Sequence, residues 1–117
     1  MTTETISIHH RFEKRVLHKS RLHKVCAAVE EAVAANKDLG GAYLQGVNLS
    51  NADFKRGRFR SADFRDATLV NVDFTNADLR GAIFTGAQTT GMIVDGANLD
   101  GAIGLKRHGA AKETAAI

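Results

Sequence analysis

Gly41-Ala42-Tyr43-Leu44-Gln45, Gly46-Val47-Asn48-Leu49-Ser50 and Asn51-Ala52-Asp53-Phe54-Lys55 say one phrase in succession. It returns as Ser61-Ala62-Asp63-Phe64-Arg65, Asn76-Ala77-Asp78-Leu79-Arg80 and Gly96-Ala97-Asn98-Leu99-Asp100. A large apolar residue stands at Leu39, Leu44, Leu49, Phe54, Phe59, Phe64, Leu69, Phe74, Leu79, Phe84, Val94 and Leu99. A small or short apolar residue stands two places before nearly every one of them. A fixed internal period marks a repeat architecture, so the fold follows from the period rather than from separate elements.

A period of five matches neither a helix nor a flat strand, whose periods are 3.6 and 2.0. It predicts a mainly β chain wound as a square coil, one pentad per side, with the large residue and the small one pointing inward. The other three residues of each pentad face solvent. A coil then takes twenty residues, and residues twenty apart stack with matched character. Leu39, Phe59, Leu79 and Leu99 form the column of a first face; Leu44, Phe64 and Phe84 that of a second. Leu49 and Leu69 belong to a third face, and Phe54, Phe74 and Val94 to a fourth. Ala42, Ala62, Ala82 and Ala102 leave room for the large side chains. Stacked coils pair their backbones at about 4.8 Å.

The pattern resembles the pentapeptide-repeat family, whose consensus is roughly Ala-Asp/Asn-Leu-x-x. The resemblance covers about residues 37 to 105 without a change of phase. It implies a right-handed quadrilateral β-helix. Lys37 and Gly57 replace the small apolar residue, Thr89 replaces a large one, and Gly104 ends the second column. A hydroxyl facing the core at Thr89 needs a partner, or the coil bulges there.

The flanks read as covers for the raw ends that a solenoid leaves. The chain divides into residues 1 to 36, a hairpin-plus-helix cap; residues 37 to 105, the coils; and residues 106 to 117, a frayed or short helical tail. Ile6, Ile8 and Phe12 alternate with polar residues, and Arg15-Val16-Leu17-His18 returns antiparallel after a turn near Glu13-Lys14. Residues 21 to 35 read as a helix capped by Ser20, with an apolar stripe of Leu22, Val25, Cys26, Val29 and Val33, ended by Asn36. Leu105 is expected to cover the last coil. Hairpin, helix and coils in this order also look like small repeat proteins of phage and prophage genomes.

At 117 residues the chain is one domain. Met1-Thr2-Thr3-Glu4 has no signal-peptide character, and no apolar run reaches membrane-spanning length. The single cysteine, Cys26, forms no internal disulfide and suits a reducing, cytoplasmic setting; on the stripe it reads as a small core hydrophobe. Net charge is +3, but residues 37 to 105 carry seven Lys or Arg against eight Asp. The excess lies in the flanks. Lys55, Arg56, Arg58, Arg60, Arg65 and Arg80 read as one basic corner and as the candidate binding surface. Beside it, Asp38, Arg58 and Asp78 form a compensating column. The third face is uncharged, with Asn48, Ser50, Asn51, Thr68, Val70, Asn71, Gln88 and Thr90, and Asn51 over Asn71 is expected to form an amide ladder.

No nucleophile, base and orienting acid fall into one site, and no Gly-rich phosphate loop is present, so no catalytic residue is assigned and the chain is expected not to be an enzyme. The five histidines fall in the flanks without acidic or cysteine ligands at a recognised spacing, so neither a metal site nor a cofactor is expected. Three readings remain. The first is a protein-interaction module, an inhibitor of a host protein. The best understood family members inhibit type II topoisomerases by resembling a DNA duplex; here the near-neutral coil body and a rod of roughly three and a half coils at about 4.8 Å each speak against that target, and a defence complex is an alternative. The second is nucleic-acid binding through the basic corner, against which Tyr43 is the only aromatic expected to be exposed on the coils. The third is a structural part that pairs with a second copy through an end.

Overall fold

The computed structural model describes residues 6–11, 16–20 and 25–105. Phe12, the turn near Glu13-Lys14, Leu22 and the tail from residue 106 lie outside the described residues.

The coil has the period read from the sequence. Asp38 pairs in parallel with Arg58 and Arg58 with Asp78; Tyr43 with Asp63, Asn48 with Thr68 and Asp53 with Asp73 follow the same twenty-residue step. The pairing continues to Asp78–Asn98 and Ile83–Ile103. These are isolated single-residue bridges rather than extended strands. A corner every five residues leaves each side too short for a continuous ladder.

Backbone accounting shows what shapes each side. In the pentad around Phe59, the Phe59 N–H donates to the Asp78 carbonyl at 2.9 Å and the Ser61 N–H to the Arg80 carbonyl at 2.7 Å, both one coil on. The Ala62 N–H turns back to the Phe59 carbonyl at 3.0 Å and closes the corner. The third residue of that four-residue turn has positive φ, as type II turns demand. Gly supplies it at Gly41 (φ 75°) and at Gly81 (φ 70°), but Asn51, Arg56, Ser61, Asp66, Asn71 and Asn76 hold the same conformation with φ between 59° and 64°. The residue after each inward centre has no partner in the ladder for its N–H. The Asp or Asn just before the centre supplies one: Asp38 Oδ1 accepts from the Gly40 N–H, Asn48 from Ser50, Asp53 from Lys55, Asp63 from Arg65, Asp73 from Thr75, Asp78 from Arg80 and Asn98 from Asp100. The acidic or amide position of the repeat is therefore a backbone acceptor as well as a surface group.

The inward columns pack as predicted from Leu39 to Phe84, all of them at most 2% exposed. Phe54, Phe59, Phe64, Phe74 and Phe84 form one aromatic stack. Phe59 and Phe74 meet edge to face at 5.7 Å, and Phe64 lies parallel to Phe84 at 5.2 Å. Gly57 stands where the repeat asks for a small apolar side chain because the Phe59 ring occupies that volume: a Cβ there would lie 2.4 Å from the ring. Val94 is only half-buried and Leu99 is 4% exposed. Thr89 is half-buried, and the coil does not bulge beside it, since Thr68–Gln88 keeps the twenty-residue step. Leu105 lies against the core, 8% exposed.

N-terminal to the coil, strands β1 (Ile6–His9) and β2 (Val16–Ser20) pair antiparallel, with Ile8 opposite His18. Beyond β1 the chain joins the first coil: the Tyr43 N–H donates to the His9 carbonyl and the Arg11 N–H to the Gly41 carbonyl, each at 2.6 Å. The His10 ring sits over the Gly41 backbone, where any Cβ would strike it. Ser20, expected as the N-cap, ends β2; residues 21–24 lie outside the described residues, and the helix α1 runs from Val25 to Ala34. The buried side of α1 is Ala28, Val29 and Ala32, while Val25 is 36% exposed and Cys26 and Val33 are partly buried. The predicted stripe is thus rotated: small Ala28 and Ala32 let the helix backbone lie close to the narrow end of the coil. Asn36, at φ 57°, ends α1. Its N–H returns to Val33 and that of Lys37 to Ala32, the paired bonds of a Schellman motif.

Candidate functional site

The six basic residues predicted as one corner fall into three settings. Arg58, Arg60 and Arg80 line a concavity of about 550 Å³ on the first face together with His10 and Ser61. Lys55 and Arg56 line a second, between the fourth face and α1, opposite Glu30 and Val33. Arg65 lines neither and lies on the second face, where it holds Asp63. The single corner is therefore corrected to two concavities and one separate ion pair. An extended side sends residues two apart to the same face, so Asp53, Asp63 and Asp78 meet Lys55, Arg65 and Arg80 across their centres.

That geometry neutralises most of the cluster. Arg65 clasps Asp63 through Nε at 2.9 Å and Nη2 at 2.7 Å. Arg80 does the same to Asp78 at 2.8 and 2.7 Å. Lys55 reaches Asp53 at 3.3 Å and Asp73 at 3.9 Å. Arg58 contacts Asp38 at 3.8 Å, the compensating column expected from the sequence, and donates to the Asn36 carbonyl. Of the six, only Arg56 and Arg60 have no ion pair among the described residues. The Asp-x-Arg spacing at 63/65 and 78/80 was the signal for this pairing.

The carboxylates respond accordingly. The Arg65 side-chain bond, opposed by burial, holds Asp63 below the usual aspartate range. Arg80 does the same for Asp78, with Arg60 adding its charge. Burial alone would raise Asp73, but the Thr75 hydroxyl and N–H, with Lys55, outweigh it and hold it low. Asp63 is wholly buried although its position faces outward in the repeat; Arg65 is clasped onto it, and the Arg11 charge reaches it from the N-terminal segment. On the third face the amide ladder forms, with Asn71 Nδ2 donating to Asn51 Oδ1 at 3.4 Å. Tyr43 is 48% exposed. No group of three or more His, Cys, Asp or Glu that could hold a metal occurs among the described residues, and no described helix is long and apolar enough to cross a membrane.

A family model described as pentapeptide repeats (9 copies) matches residues 39–83. The chain belongs to the pentapeptide-repeat family. Similar solved structures carry the same description. The pentapeptide repeat protein Rfr23 from the cyanobacterium Cyanothece 51142 shares 28% identity at a TM-score of 0.52, over 53% of this chain and 43% of that one. Alr5209 from Nostoc Pcc 7120 shares 30% identity over 65% of this chain and 72% of that one, with a TM-score of 0.35. AT2G44920, from the Arabidopsis thaliana thylakoid lumen, shares 35% over 64% and 57%, with a TM-score of 0.27. The chain thus spans 43% of the length of Rfr23. No curated protein matches it. Pentapeptide-repeat proteins form right-handed quadrilateral β-helices and are generally non-catalytic, with roles that are often structural or in protein interaction.

Proposed function

We propose that this pentapeptide-repeat protein is a non-catalytic protein-interaction module acting in the cytoplasm, an inhibitor of a host nucleic-acid-handling protein of the kind phages direct at host defence. In this reading the hairpin and α1 cap the first coil, and the rigid coil presents its faces to a protein partner. The observation that carries it is the internal neutralisation of the cations: Lys55, Arg58, Arg65 and Arg80 are each paired to an aspartate. A surface of paired charges offers few cations to release counterions from a polyanion, whereas it suits the mixed polar rim of a protein interface. The charge-free third face, flanked by these charged faces, is the natural centre of such an interface.

The test is affinity capture on tagged protein from nuclease-treated host lysate, repeated with Thr68→Arg on the third face. A stoichiometric protein lost in the variant supports the reading. Recovery of nucleic acid alone, when nuclease is omitted, would move the function to nucleic-acid binding. Assembly through an end is the structural alternative, checked by light scattering before and after truncation following Lys106.

A further inference from the structure

The geometry points to a binding site for a phosphate monoester group in the first-face concavity, anchored by Arg60. The concavity gathers Arg58, Arg60 and Arg80 with Ser61 and His10. Arg60 and Arg80 follow each other in one column, one coil step of about 4.8 Å apart, so both reach the same small anion. Arg80 is held in place by Asp78 and spends only its Nε and Nη2 on it, which leaves further N–H donors of the five that a guanidinium carries. Arg60 makes neither hydrogen bond nor ion pair through its side chain among the described residues. Arg58 lies 3.8 Å from Asp38 and donates to the Asn36 carbonyl at 3.2 Å, with about half of its side chain exposed.

Two carboxylates share the concavity and oppose an anion. Both are already engaged: Asp38 accepts from the Gly40 N–H and faces Arg58, while Asp78 accepts from the Arg80 N–H and fork. Three guanidiniums against two engaged carboxylates leave an excess of positive charge centred on Arg60. A carboxylate ligand has two oxygens and is satisfied by a single fork. Several converging donors match the three free oxygens of a phosphate monoester, which also carries the larger charge. The site is local and not a track. The cations on either side, Lys55 and Arg65, are tied to aspartates, and Arg56 lines the separate concavity that also holds Glu30 and Asp53, so a nucleic-acid backbone would find no continuous run of phosphate contacts along the coil.

Amide chemical shifts of the full chain, titrated with inorganic phosphate at low salt, test this. The expected result is a saturable shift at Ser61, Arg60 and Gly41, weakened at least tenfold in Arg60→Gln and unchanged in Arg65→Gln. Because the Arg60 side chain makes no hydrogen bond or ion pair among the described residues and only adds its charge to the Arg80–Asp78 pair, its variant should melt close to the wild type. Two further arms use a phosphoserine peptide and free phosphoserine. Tighter binding of the peptide assigns the phosphate to a protein side chain, and equal binding assigns it to a small metabolite; both outcomes uphold the site. No saturable shift, an equal response in Arg60→Gln, or tighter binding of duplex DNA with a steep salt dependence would overturn it. None of these results depends on finding the protein partner proposed above.

Discussion

Phe74 and Val94 occupy one column of the coil, yet Phe74 has no exposed surface and Val94 is half-buried. The same holds for Ala82 against Ala102 on the opposite face. On the outward columns, Asp73 is followed by Ile93, 41% exposed, and Ile83 by Ile103, 56% exposed. The first coil loses less: Leu39, Ala42, Leu44, Leu49 and Ala52 stay buried and Val47 is partly so, because Ile8, Val29 and Ala32 from the N-terminal elements join its core. Burial in a solenoid belongs to the stacking position rather than to the repeat. A pentad carries no record in its own residues of whether another lies above it.

The contrast is broken most directly by truncating both members of the column. Phe74→Ala removes a ring that packs on Phe54, Phe59, Phe64 and Phe84. It should cost about 3–5 kcal/mol, read as a fall in urea midpoint. Val94→Ala should cost only about 1 kcal/mol, since its two methyl groups are part-exposed already. Equal costs would mean that the last coil is covered as fully as the middle ones. Gly57→Ala comes next, at about 2 kcal/mol. The added methyl meets the Phe59 ring at 2.4 Å and the Phe54 carbonyl at 3.0 Å, whereas a Cβ on Gly46 meets nothing within 4 Å. Gly46→Ala therefore isolates the backbone cost of positive φ, about 1 kcal/mol. A Gly57 variant no worse than the Gly46 one would show that the aromatic stack can shift.

The sequence was a good guide wherever a side chain repeats a position. The twenty-residue step, the columns from Leu39 to Phe84, the Asn51–Asn71 ladder, a strand pair, a helix and its end at Asn36 could all be read from residue type and spacing. Four things could not. Positive φ at Arg56 and Ser61 was hidden because neither residue type announces a left-handed conformation, although every corner shares it. The Asp bonds to the backbone were hidden because an outward aspartate reads from residue type as a charge, as in the column of Asp38, Arg58 and Asp78, and not as an acceptor for the N–H two residues on. The basic corner was misjudged because cations were counted on neighbouring sides without pairing each to the aspartate two residues before it. The rotation of α1 depended on how close a helix can come to the first coil, a tertiary fact that Val25 could not announce.

The N-terminal end offers a smaller test. Glu30 Oε2 accepts from the Asp53 N–H at 2.8 Å, a first-coil donor with no earlier coil to serve it. Glu30→Ala should cost about 1 kcal/mol and Glu30→Gln less, since the amide oxygen still accepts; equal losses would mean that the contact contributes charge rather than a bond. Acid sharpens the comparison from another side. The carboxyls of Asp63, Asp73 and Asp78 lie below the ordinary value in the folded chain. Their stabilisation is therefore complete above the unfolded value of about 3.9 and is lost as pH falls through it towards the folded values. The urea midpoint should be flat from neutral pH to about pH 5 and drop below about pH 4. Asp63→Asn should flatten part of that drop, and an unchanged profile would show that the buried pair does not set the acid limit.

The smallest effect comes from the corner column that holds Asn36, Arg56, Asn76 and Gly96, all at positive φ. Asn tolerates this conformation through its short polar side chain, and Gly adopts it without penalty. Arg56 has neither advantage, and its side chain has no bonding partner among the described residues that would justify the strain. Arg56→Gly relieves about 1–2 kcal/mol of left-handed backbone strain but returns about 0.4–1 kcal/mol through the freer unfolded chain. The net should be a stabilisation of about 0.5 kcal/mol, a slightly raised melting temperature. The reverse change, Gly96→Arg, brings the strain into the last coil and sets a Cβ 2.2 Å from Asn76 Oδ1, so that side chain must move aside. It should destabilise. If Arg56→Gly also destabilised, the arginine would be doing structural service through its aliphatic stem against the α1 groove. The corner would then be part of the N-terminal packing rather than a free cation beside it.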